Sequence, residues 1–91
     1  MHSLVWKKQA LADLLKIVQH IAQDNPDAAE ALADDIEAKV GKLREFPEMY
    51  NPGRKRGTRE LVAHENYIVV YRVTVKRVDV LRVKHAAQQW P

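Results

Sequence analysis

The 91-residue chain contains no cysteine, one serine, one phenylalanine and only three glycines. Without thiols there are no disulfide staples and no thiolate nucleophile or ligand, which fits a reducing compartment. The single serine is Ser3, at one end of the sequence. No apolar run approaches the roughly 20 residues that cross a bilayer. The opening Met1-His2-Ser3-Leu4-Val5-Trp6-Lys7-Lys8 lacks the charge-then-apolar order of a secretory signal. The expected location is the cytoplasm, with no membrane partner. Phosphate-binding P-loops, G-x-G-x-x-G turns, G-x-S-x-G elbows and His-Glu-x-x-His helices are all missing. The four histidines, His2, His20, His64 and His85, stand far apart without acidic residues at ligand spacing. Neither a metal site nor a cofactor is expected.

Hydrophobic residues make up 46% of the chain and charged residues 30%, near the globular average, so general disorder is excluded. One domain, residues 1–91, is all that this length can form around a core. A staple-free domain of this size needs efficient packing or a partner. The net charge of +3 conceals a strong asymmetry: residues 1–24 sum to +1, residues 25–48 to −4 and residues 49–91 to +6. Arg54, Lys55, Arg56 and Arg59 cluster in the last segment, with Arg72, Lys76, Arg77, Arg82 and Lys84 after them. That half suits an anionic partner, a phosphate backbone or an acidic peptide, although strands also carry cations simply for solubility.

Leu4-Val5-Trp6 is either an edge strand or the start of a helix. Leu11, Leu14, Leu15, Val18, Ile21 and Ala22 then recur at the spacing of one helical face. Asn25-Pro26 interrupts that run, with Asn suited to an N-cap and Pro to the first helical position. A second helix begins at Pro26 with the stripe Ala29, Leu32, Ile36, Val40 and Leu43, its residues Asp34, Asp35, Glu37 and Lys39 turned to water, and it is closed by Pro47. A tight join of this kind makes a helical hairpin. Met49 to Thr58 reads as a loop around Pro52-Gly53. Leu61 to Ala63, Tyr67 to Val73 and Val78 to Val83 are β-branched and aromatic runs with short connections, so they form an antiparallel meander. Ile68 and Val70 fall on one face of the middle strand, with Val69, Tyr71 and Val73 on the other. The resulting fold class is α+β, in the order β-α-α-β-β-β.

Two segments carry candidate chemistry. In Gly53-Arg54-Lys55-Arg56-Gly57-Thr58-Arg59-Glu60-Leu61, glycines allow close backbone approach and guanidinium forks suit phosphate or carboxylate oxygens. Arg59, entering a strand, is the best aimed; the plain alternative is a solvated connector. In the tail Arg82-Val83-Lys84-His85-Ala86-Ala87-Gln88-Gln89-Trp90-Pro91, a histidine beside cations can act as general acid or base. RNA cleavage by its own 2′-hydroxyl needs a base, an acid and cations on the phosphorane, of which His85, Arg59 and Arg82 supply part. The plain alternatives are a His85 that pins the tail and a Trp90 that plugs the core.

Taken as a set, these residues resemble the RelE/ParE superfamily of bacterial toxins over nearly the whole chain. The resemblance rests on the order of Ala10-Leu11-Ala12-Asp13-Leu14, Ile21-Ala22, Asn25-Pro26, Ala28-Ala29 and Phe46-Pro47, followed by Gly57-Thr58-Arg59-Glu60-Leu61-Val62, Asn66-Tyr67-Ile68-Val69-Val70-Tyr71-Arg72-Val73 and the ending from Val83 to Pro91. It implies a helical hairpin packed on a small, mostly antiparallel sheet. It also implies the toxin of a type II toxin-antitoxin module of the plasmid-stabilisation kind. A small cognate antitoxin would neutralise it, and operator DNA would be contacted only through that antitoxin. RelE-type members cut messenger RNA on the ribosome; ParE-type members share the fold and inhibit DNA gyrase. Arg59-Glu60-Leu61-Val62-Ala63-His64, Tyr67 and Trp90-Pro91 look closer to ParE-type sequences. The resemblance therefore implies growth inhibition through gyrase, with ribosome-dependent mRNA cleavage as the alternative and a non-toxic binding module as a third class. Under the RelE-type alternative, His85 and Arg59 match proton-transfer and phosphate positions, but a counterpart of that type's general base is missing. Under either mechanism the anion-binding candidates are Arg54, Lys55, Arg56, Arg59, Arg82 and Lys84, while the antitoxin-binding residues are unassigned.

Overall fold

A computed structural model describes residues 1–87; Gln88, Gln89, Trp90 and Pro91, with the expectations placed on them, lie outside the described residues. The elements are β1 (Ser3–Trp6), α1 (Lys8–Ala22), α2 (Pro26–Gly41), a single 3-10 turn (Lys42–Arg44), β2 (Arg59–His64), β3 (Tyr67–Val73) and β4 (Arg77–His85). This is the α+β order expected from the sequence. No helix among the described residues is long and apolar enough to cross a membrane.

The junction between the helices follows from two side chains. Asn25 Oδ1 accepts the Ala28 N–H at 3.1 Å, satisfying one of the donors left over at a helix start. Pro26 occupies the first turn, where its missing N–H costs nothing. The α2 stripe packs as its spacing requires: Ala29, Leu32, Ile36 and Val40 are buried, and Leu43 in the 3-10 turn extends it.

Two helical expectations need correction. The spacing assigns Leu11 and Leu15 to the packed face of α1, yet they are 52% and 57% exposed. Ala10 and Leu14 are buried instead, and Ile17, Val18 and Ile21 pack against the core. The contact face keeps Leu14, Val18 and Ile21 and is turned by roughly 60°, about half a residue step. The small Ala10 lets the helix approach the sheet, and the turn brings Asp13 to β4. Lys39, expected to face water, bonds Asp35 at 3.0 Å and also donates to the Ala63 carbonyl at 2.6 Å. It thereby covers part of the outer edge of β2.

The sheet order is β1-β4-β3-β2. β2, β3 and β4 form the expected antiparallel meander. β1 is a strand, pairing parallel with β4 from Ser3 opposite Arg77 to Trp6 opposite Val80. Parallel pairing is open to it because the chain between β1 and β4, through the helical hairpin, β2 and β3, gives the long crossover that such neighbours need. On β4, Arg82 pairs with Val70 but Val80 pairs with Tyr71, so Leu81 is the extra residue of a bulge. The bulge keeps Val78, Val80 and Val83 on the helix-covered face, where they join Leu61, Ala63, Val69 and Tyr71 in one core with Leu14, Leu32, Ile36, Val40 and Leu43. Each fully buried aliphatic side chain there contributes about 1.5–3 kcal/mol before entropy is set against it. Tyr71 is wholly buried, and its hydroxyl donates to the Pro47 carbonyl at 3.0 Å. Burial pushes the phenol pKa up, so the hydroxyl keeps the proton it donates.

Candidate functional site

The helices cover one face of the sheet and leave the other without a helix, where Ile68, Val70 and Asp79 are buried and Arg72 is exposed. Side chains alternate along each strand, so Ile68, Val70 and Arg72 of β3 point away from the core formed by Val69 and Tyr71. After the bulge, Arg82 and Lys84 of β4 share that open face. The loop before β2 adds Lys55 and Thr58. Together with Leu81 these residues line a groove of about 480 Å³, with Val70 and Leu81 as its aliphatic part and four cations around it.

The loop is shaped by its own hydrogen bonds. The Gly53 N–H donates to the Thr58 carbonyl at 2.7 Å, and a side chain at Gly53 would meet Thr58 Oγ1 at 2.5 Å. Gly57 has φ +81, a conformation that costs other residues more. Thr58 is buried and its hydroxyl donates to the Lys55 carbonyl at 2.5 Å, which fixes the turn that carries Lys55. Glu60 accepts the Arg54 N–H at 2.7 Å and lies 3.8 Å from that guanidinium.

The anion-binding candidates therefore separate by their surroundings. Lys55 and Lys84 meet in the groove. Arg54 is beside Glu60, and Arg56 is exposed in the loop. Arg59 faces a different hollow of about 640 Å³, where Nη1 donates to the Tyr50 carbonyl at 2.7 Å and Nη2 lies 3.9 Å from Glu48. Arg82 reaches round the edge of β4 to Asp13, with bonds of 2.7 and 3.0 Å. Asp13 also accepts the Val83 N–H at 2.9 Å, at the point where β1 has already ended and β4 has no strand on that side. Burial alone would raise the Asp13 pKa. The Arg82 bonds, the Val83 N–H and the charges of Arg82 and Lys84 outweigh it and hold the carboxyl below its usual range. The same bonds raise the Arg82 pKa.

His85 lies toward the helices, in a third hollow with Asp13, Lys16, Tyr67 and Arg82. Its ring meets Tyr67 edge-on at 5.4 Å, and Nδ1 accepts the Ala87 N–H at 3.0 Å. A neutral ring in this arrangement carries its proton on Nε2. In register, Arg59 lies opposite Tyr71 and His85 opposite Tyr67, on strands that flank β3. They are separated by two strand spacings and by about 13 Å along the strands. The structure brings Arg82 and His85 to one hollow and leaves Arg59 in another. Among the described residues no imidazole, carboxylate or phenol lines the open-face groove, and no three acidic or histidine side chains are grouped to hold a metal ion. The groove can hold an anion; it has no evident pair of groups for moving a proton.

Arg72 is the groove cation that the sequence reading leaves out of its site list. Its signal was the two-residue alternation with Ile68 and Val70, which puts it on the face that the helices leave bare.

Residues 4–90 match the family described as the ParE toxin of the type II toxin-antitoxin system, parDE. The putative toxin Y4kP of Sinorhizobium fredii is 44% identical over 87 residues, which cover 94% of this chain and 90% of that protein. Toxin RelE2 of Caulobacter vibrioides is 37% identical over 90 residues, covering 97% of this chain and 99% of the relative. Among solved structures, a chain of the chromosomal ParDE toxin-antitoxin system from P. aeruginosa superposes with a TM-score of 0.83 at 28% identity, covering 93% of this chain and 96% of that one.

Proposed function

The chain belongs to the ParE toxin family of type II toxin-antitoxin systems, and from that premise we propose that it arrests growth by inhibiting DNA gyrase, acting in the cytoplasm by binding rather than by cutting RNA. A small cognate antitoxin holds it inactive, in keeping with the paired ParDE system that its fold matches. The observation that carries the choice of target is that Arg59 stands in a different hollow from His85, while Arg82, which shares the His85 hollow, is committed to Asp13. His85 sits on the helix side of the sheet, Arg82 is paired with Asp13, and Arg59 is bonded to the Tyr50 carbonyl. In-line cleavage of RNA needs a proton acceptor, a proton donor and cations around one phosphate. Here only Arg82 lies beside His85, with its guanidinium held by Asp13, and Lys55, Arg72 and Lys84 line a groove without imidazole, carboxylate or phenol among the described residues.

Ribosome-dependent mRNA cleavage remains the alternative, favoured by the basic groove and by the likeness to a relative named RelE2. Purified toxin is expected to block gyrase supercoiling of relaxed plasmid while leaving messenger RNA on programmed ribosomes intact. Cleavage of that RNA which disappears in His85→Ala would replace the gyrase reading with the nuclease one.

A further inference from the structure

The open-face groove has two properties that bear on its occupant. Its cations are available: among the described residues Lys55, Arg72 and Lys84 form no ion pair within 4.0 Å. Two carboxylates that share this face are already held. Glu60 is engaged by Arg54, and Asp79 is clamped by Arg77 at 2.6 and 3.2 Å, with Arg72 acting on it only at longer range. The second property is that the groove is aliphatic between its charges. Val70, 6% exposed, closes its floor, half-buried Leu81 gives it accessible apolar surface, and on the outer strand Val62 is 63% exposed opposite the buried Ile68.

These two properties discriminate between kinds of polyanion. A single-stranded nucleic acid is held by cations together with aromatic side chains on which bases stack. Among the described residues no aromatic side chain lines this groove. Carboxylates flanking an aliphatic side chain match it better: the acidic groups meet Lys55, Arg72 and Lys84, and the aliphatic group is removed from water against Val70 and Leu81.

We propose that this groove is the docking site for an acidic segment of the toxin's protein target, anchored by an aliphatic side chain. The proposal deepens the reading of the protein as a binder of a protein target, and rests on it. Carboxylates on the target replace water around Lys55, Arg72 and Lys84, which make no ion pair among the described residues, and the accessible Leu81 and Val62 receive the apolar anchor.

The test uses a labelled peptide of alternating glutamate and leucine, a labelled single-stranded oligoribonucleotide and purified gyrase. The peptide is expected to bind the full chain, to bind less as salt rises, and to relieve gyrase inhibition when added in excess. Lys84→Glu and Arg72→Glu should each weaken the peptide by about tenfold or more and lose gyrase inhibition, with unchanged melting temperatures. Lys55→Glu, in the loop, gives an independent third variant should either strand substitution disturb folding. Tighter binding of the oligoribonucleotide than of the peptide overturns the proposal, as does gyrase inhibition that survives in all three variants. The two readings fail separately. If the wild type inhibits gyrase but binds no peptide, the docking site is wrong and the target stands. If it binds peptide in this groove without affecting gyrase, the target is wrong and the groove's chemistry stands.

Discussion

Leu61 and Val62 are neighbours on β2, yet Leu61 is 1% exposed and Val62 63%. The difference is repeated along the sheet. On β3, Val69 and Tyr71 pack under the helices while Arg72 faces solvent; on β4, Val83 is buried while Lys84 lines the open groove. Two faces of the same strands thus carry different duties. The helix-covered face supplies most of the apolar burial that a domain without disulfides depends on, and the other face leaves Lys55, Arg72 and Lys84 without an ion pair among the described residues. The sharpest way to break this comparison is Leu61→Ala. It should lower unfolding free energy by about 2–5 kcal/mol in urea melts. A loss close to that of a surface substitution would show that the covered face is not where stability resides.

The Asp13–Arg82 clasp is where the two faces communicate, since Arg82 lines the open groove while its guanidinium grips a residue of α1. Asp13→Asn removes the charge but keeps an oxygen for the Val83 N–H. Hydrogen bonds to charged groups are worth about 1.5–3 kcal/mol, and Arg82 is 35% exposed as a side chain, so a loss of about 1–2 kcal/mol is expected after screening. The sign of its pH dependence follows from the lowered folded-state pKa of Asp13. Its stabilisation is fully present above the unfolded carboxyl value of about 3.9 and is lost as pH falls through the folded value. The gap between wild type and Asp13→Asn should therefore be constant near neutrality and close in acid. A gap that persists unchanged in acid would mean that the ion pair contributes nothing.

Much of the fold was legible in the sequence because its signals are local. Asn25-Pro26 announced a helix start through cap chemistry confined to four residues, and the α2 stripe has only one face on which Ile36 and Val40 can be buried. The β-branched runs after Arg59 were equally plain. What stayed hidden depends on distant partners. On α1, leucines at 11 and 15 weigh more in a hydrophobic pattern than an alanine at 10, but the sheet selects the small residue for close approach. The Leu81 bulge decides which of Arg82 and Val83 faces outward, and nothing adjacent in sequence signals it. The same holds for the site: Lys55 and Lys84 were picked out by charge alone, whereas the Arg82 partner lies 69 residues earlier. Arg72 was a case of missed alternation, a signal already present in Ile68-Val69-Val70-Tyr71-Arg72.

The smallest effect expected is also the finest probe of the open face. Val62→Thr keeps the β-branched shape that suits a strand while making an exposed apolar side chain polar. Because Val62 already meets water, unfolding free energy should change by no more than about 0.5 kcal/mol. The neighbouring Leu61, altered by a similar removal of apolar surface, should respond several times more strongly, since only there does the change leave a cavity beneath the helices. A cost at Val62 approaching that at Leu61 would mean that the outer strand is covered in the folded protein, and the division of the sheet into a structural face and a recognition face would fall. A neutral result, measured alongside reduced binding of the acidic peptide to the same variant, would instead place Val62 at the apolar end of the docking strip, where its side chain matters to the partner and not to the fold.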